Sequence, residues 1–75
     1  MNIELKFKIY QLREKNGLST RDLSRISGIS RSCINEIENN CGNPTLKTVC
    51  KLALALNVMP EDVYEYHVIK KSDAK

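Results

Sequence analysis

The chain has 75 residues and a net charge of +3, enough for one domain with a modest core. It has no tryptophan and only four aromatic residues (Phe7, Tyr10, Tyr64 and Tyr66), so its core must be Leu, Ile and Val. Three Gly and two Pro argue against a disordered chain. No apolar run approaches the roughly 20 residues of a membrane span, so no membrane is expected as a partner. Nor does a basic-then-apolar leader follow Met1. Cys33, Cys41 and Cys50, odd in number and without a CxxC pair, point to reduced thiols in a cytoplasm rather than a disulfide framework.

Five helical segments are expected, within one domain over residues 1–69 followed by a polar tail over 70–75. The first spans about 3–15, where Leu5, Ile9 and Leu12 recur at helical spacing and Asn16-Gly17 supplies a left-handed ending. The second begins at Ser19, with Asp22 placed to complete a capping box, turns Leu23 and Ile26 inward and closes at Gly28. The third starts at once with Ser30 as its cap, buries Ile34 and Ile37, and ends near Asn39-Asn40. A loop over Cys41-Gly42-Asn43-Pro44 leads to the fourth, from about Thr45 to Leu56, with Leu46, Val49, Leu52, Ala53 and Leu56 on one face. Asn57 stops it. The fifth starts at Pro60 with Glu61 and Asp62 in its first turn, carries Val63 inward, and fades between Tyr66 and Ile69.

Charge is unevenly spread. Residues 6–60 carry a net +5 and residues 61–75 a net −1, a positive excess on the part that holds the two short helices joined at Gly28. Two such helices around a tight glycine turn make a helix-turn-helix unit, in which the first helix crosses the DNA backbone and the second enters the major groove.

The run Leu12-Arg13, Gly17-Leu18-Ser19, Leu23-Ser24, Gly28-Ile29-Ser30, Ile34, Ile37-Glu38-Asn39, Pro44-Thr45-Leu46, Leu52-Ala53, Leu56-Asn57-Val58 and Asp62-Val63 resembles the Cro- and phage-repressor-type (XRE) family over about residues 5–66. The resemblance implies an all-α, five-helix, lambda-repressor-like DNA-binding domain with the third helix as reader. Arg31, Ser32, Asn35 and Glu36 match the family's base-facing positions, with Cys33 between them. Arg13, Ser30, Asn39 and the backbone from Asn40 to Thr45 match positions that hold phosphates, and the amide end of the second helix at Ser19 and Thr20 approaches another. The chain departs from the family pattern at Thr20, where Gln is common, at Ser24 for Ala, at Asn40 for Gly, at Cys41 for a basic residue and at Met59 for a capping hydroxyl.

Several alternatives stay open in the residues themselves. Arg31 suits a bidentate contact with guanine or a phosphate clamp, and Asn35 suits adenine. Glu36 suits cytosine, or orients Arg31. Cys33 is read as a small packing residue and Cys50 as a core residue. Tyr64, Tyr66, Val68 and Ile69 are apolar beyond what a chain end needs; they either cap the core or form a homodimer interface. A reader helix covers only about four or five base pairs, which favours a dimer on a palindromic site of double-stranded DNA. The alternative is an antitoxin or adaptor whose main partner is a protein such as a toxin. His67 is the sole histidine, with no companions at ligand spacing, so neither a metal nor another cofactor is expected. An enzyme is not expected either, because no nucleophile motif is present.

Overall fold

The computed structural model describes residues 2–69; the expected polar tail at 70–75 lies outside the described residues. Strand β1 (Asn2–Phe7) is followed by four helices, α1 (Ile9–Lys15), α2 (Thr20–Ser27), α3 (Arg31–Glu38) and α4 (Leu46–Leu56). A single 3₁₀ turn at Pro60–Asp62 then leads into strand β2 (Tyr64–Ile69).

Two expectations are corrected. The first helix begins at Ile9, and residues 2–7 form a strand instead. Ile3, Leu5 and Phe7 alternate with Glu4 and Lys6, a period of two that suits a half-covered strand. The expected fifth helix stops after the 3₁₀ turn, and Tyr64–Ile69, rich in aromatic and β-branched residues, becomes β2. β1 and β2 pair antiparallel in one two-stranded sheet, in register from Asn2↔Ile69 through Leu5↔Tyr66 to Phe7↔Tyr64. The domain is therefore helical with a strand pair, not all-α with five helices.

Capping explains the helix boundaries. Asp22 N–H donates to Ser19 Oγ (3.0 Å) and Ser19 N–H donates to the Asp22 carboxylate (3.1 Å), the reciprocal box that opens α2. These bonds hold the Asp22 carboxyl below its usual range, the Ser19 backbone contact contributing most. Ser30 and Thr45 cap α3 and α4 in the same way, accepting from Cys33 N–H (3.2 Å) and Thr48 N–H (3.2 Å). Asn57 ends α4 in the left-handed region at φ 60°.

The core is a cluster of Ile9, Leu23, Ile34, Ile37, Val49, Leu52, Ala53, Leu56 and Val63. Every helix contributes, and Val63 closes it from the turn before β2. Four apolar side chains lie outside it against expectation: Ile26 (53% exposed), Leu46 (73%), Leu5 (38%) and the exposed Cys50. On α2 the covered side runs through Thr20, Leu23, Ser24 and Ser27, which leaves Ile26 on the opposite margin. On α4 the buried stripe is Val49, Leu52, Ala53 and Leu56, and Cys50 lies about 100° around the helix from Val49. Leu46, at the first position of α4, and Leu5, on β1, line a shallow apolar groove with Phe7, Pro44, Val49 and Tyr64.

Candidate nucleic-acid interface

The turn between α2 and α3 occupies three residues. Gly28 adopts φ 77°, a left-handed conformation that costs any residue with a Cβ. Ser24 Oγ donates to the Ile29 carbonyl (2.6 Å), and Ile29 N–H donates to Ser27 Oγ (3.1 Å), so both backbone polar groups of Ile29 are tied to the C-terminal half of α2. Ile29 packs against the core. The relative orientation of the two helices is thus fixed by side chains of α2 and of the turn.

α3 divides cleanly. Ile34 and Ile37 are buried, and Cys33 is half-buried against the core, as a small packing residue should be. Arg31, Ser32, Asn35, Glu36 and Asn39 are exposed and share the opposite face at positions i, i+1, i+4, i+5 and i+8. Among the described residues, the side chains of Arg31, Ser32, Asn35 and Glu36 have no internal hydrogen-bond or ion-pair partner, so their full polar capacity faces outward. Asn39 differs: its Nδ2 donates to the Asn35 carbonyl (2.9 Å) and serves the helix end.

The expected phosphate-facing residues fall into three groups. Ser19, Ser30 and Thr45 are helix caps whose oxygens are already accepting, but the amides that follow them, including those of Thr20 and Arg31, lie in first turns and have no carbonyl partner within their helices. Asn40 sits in the left-handed region at φ 57°, and its Oδ1 accepts from Phe7 N–H (3.3 Å), so its side chain ties α3 to β1. Arg13 is turned inward. The residue is 8% exposed, and its guanidinium donates twice to Glu38, from Nε (2.7 Å) and Nη2 (3.2 Å), and once from Nη1 to the Leu18 carbonyl (3.0 Å). It also lies over the Tyr10 ring at 5.2 Å. The hydrogen bonds to Glu38 hold its pKa above the ordinary arginine value. Arg13 thereby braces the C-terminal end of α3 against α1 and the α1–α2 loop.

The sequence reading passed over two basic residues. Arg21 and Lys47 are exposed and stand in the first turns of α2 and α4, and Arg31 is the first residue of α3. No acidic residue occupies the first turn of α3 or α4. A cation at a helix N-terminus opposes the helix dipole, so three of them in succession suit anions brought from outside. That conflict was visible in the sequence wherever a helix start is placed correctly.

Comparison with known proteins agrees with this geometry. Residues 9–63 match the HTH_3 family profile, described as helix-turn-helix. The chain is 37% identical over 54 residues to the HTH-type transcriptional regulator SutR of Escherichia coli, covering 72% of this chain but only 30% of SutR's length. Among solved structures it resembles the restriction-modification controller protein C.AhdI of Aeromonas hydrophila, with a TM-score of 0.71, 34% identity and coverage of 73% of this chain and 83% of that one. It also resembles SinR, a master regulator for biofilm formation, in a structure in complex with DNA, with a TM-score of 0.69, 29% identity and coverage of 72% of this chain and 87% of that one.

Proposed function

Because the chain belongs to the HTH_3 helix-turn-helix family, we propose that it is a sequence-specific, DNA-binding transcriptional regulator of the cytoplasm, acting as a dimeric repressor with α3 in the major groove. The observation that carries the reading is the face of α3 on which Arg31, Ser32, Asn35 and Glu36 stand exposed and internally unbonded, opposite the buried Ile34 and Ile37. Arg31 reads guanine through paired donors, Asn35 reads adenine, Ser32 adapts to either, and Glu36 accepts from cytosine. Phosphates are held by the first-turn amides after Ser19, Ser30 and Thr45, and by Arg13, Thr20, Asn39, Asn40, Arg21 and Lys47. Tyr64, Tyr66, Val68 and Ile69 supply the contact with a second copy, so that two reader helices address a palindrome. The solved structures similar to this chain also include a complex of SinR with the SinI protein, and that supports a protein partner as the second reading.

Selection of bound sequences from a random DNA pool, followed by titration of the recovered site, tests this. A palindromic site is expected, with affinity falling steeply as salt rises because phosphate contacts release counterions. Arg31→Ala should cost about 1–3 kcal/mol and relax one base position. Salt-insensitive binding, or recovery of no preferred sequence, overturns the reading.

A further inference from the structure

A lone two-stranded ribbon is marginal in water, and this one leaves the body almost bare. All residues of β1 except Phe7, and all of β2 except Tyr64, are exposed. One face is apolar: Ile3, Leu5 and Phe7 stand opposite Val68, Tyr66 and Tyr64. Ile3 is 50% exposed, Tyr66 59% and Val68 48%.

The two edges of the ribbon differ. Lys8 N–H donates to the Val63 carbonyl (2.7 Å), which makes that facing pair a hydrogen-bonded one. In an antiparallel ladder such pairs alternate, so the even residues of β1 turn their amides toward β2, and Ile3, Leu5 and Phe7 turn theirs outward. Two of those three are already satisfied: Ile3 N–H donates to Asn2 Oδ1 (3.0 Å) and Phe7 N–H to Asn40 Oδ1 (3.3 Å). The outer edge of β1 is thereby blunted. On β2 the same alternation turns the amides and carbonyls of Tyr64, Tyr66 and Val68 outward, and no described residue bonds to them.

We infer that the outer edge of β2 pairs antiparallel with β2 of a second copy, centred on Tyr66, to form a four-stranded sheet. The inference rests on the dimer proposed above and specifies how it is built. The centring follows from which side chains face one another. With Tyr66 opposite Tyr66, Glu65 faces His67 of the second copy twice, and Tyr64 faces Val68 of the second copy, an aromatic against a β-branched residue. Moving the centre to His67 sets Glu65 against the apolar Ile69. Moving it to Glu65 sets two carboxylates against each other, which destabilises a pair. In the Tyr66 register the outward groups of Tyr64, Tyr66 and Val68 meet their counterparts, and the apolar face runs unbroken across all four strands. The polar face then carries a row of Lys6, Glu65, and His67 and Glu4 of the second copy, because Lys6↔Glu65 and Glu4↔His67 already pair within each chain.

Sedimentation equilibrium of the full chain, kept reduced, should show a dimer. Isotope-filtered NOE spectroscopy on mixed labelled and unlabelled protein should show an intermolecular Hα–Hα contact between Glu65 and His67, a facing pair without mutual hydrogen bonds. Tyr66→Glu puts two carboxylates at the two-fold axis and should weaken dimerisation at least about 100-fold, with an unchanged dichroism spectrum and retained binding to half of the selected site. A monomeric wild type, which leaves the edge for some other protein, overturns the inference. So do intermolecular contacts on α4 or β1 in place of β2, or a dimer indifferent to Tyr66→Glu. A wild-type dimer with the Glu65–His67 contact that binds no DNA supports the inference and overturns the regulator reading alone.

Discussion

The helical body and the ribbon are built on different terms. In the body, every helix buries at least one side chain in the common core, and α2, α3 and α4 are each opened by a side-chain cap of their own. The nine core side chains there are at most 6% exposed. In the ribbon, two strands from opposite ends of the chain hold one another, with an apolar face that the other described residues cover only at Phe7 and Tyr64. The body is therefore self-sufficient, whereas the ribbon depends on its inner end, where Val63, Phe7 and Tyr64 meet the core and Asn40 reaches across to the Phe7 amide. Local signals were enough to specify the first region; the second needed pairing across more than fifty residues.

The comparison breaks most visibly at Leu52. This side chain is fully buried, and Leu52→Ala should cost about 2–5 kcal/mol in thermal or denaturant unfolding. Ile3→Ala on the ribbon should cost under about 1 kcal/mol by the same measurement. Equal losses would mean that the ribbon is part of one cooperative core. Next in size is the brace at Arg13. Arg13→Met should cost about 3 kcal/mol because it strands the Glu38 carboxylate, which is only 10% exposed. Adding Glu38→Leu should recover much of that loss, and a double variant as unstable as the single one would show that the brace acts through something other than charge.

The smallest expected effect is at the start of α2. The Asp22 pKa is depressed in the folded chain, so its contribution is present in full above the ordinary carboxylate value of 3.8 and is lost as pH falls through the folded value. Asp22→Asn should flatten that part of the pH–stability curve. An unchanged slope would assign the acid sensitivity to another carboxylate.

The sequence announced α2, α3 and α4 well because each carries its own start and stop: Ser19 and Gly28, Ser30 and Asn39, Thr45 and Asn57. The face of α3 was legible for the same reason, since two buried isoleucines three residues apart determine which side chains point away. The ribbon was not legible. Leu5, Ile9 and Leu12 fit a helical stripe as readily as Ile3, Leu5 and Phe7 fit a strand, and nothing local decides between them. Only the matching alternation of Tyr64, Tyr66 and Val68, at the far end of the chain, resolves the ambiguity. The Arg13–Glu38 pair was not legible for a related reason: the two residues are 25 apart, and nothing local brings them together.

The register of the ribbon has a consequence for topology. Since Asn2 lies directly opposite Ile69, the polypeptide traces a nearly closed ring, with both of these residues at one spot on the rim. A short glycine bridge between them, in place of Met1 and residues 70–75, would circularise the described domain without bending either strand. The ring could then be reopened within the loop from Cys41 to Pro44, giving a permuted chain whose new ends leave from beside the reader helix instead of from the ribbon tip.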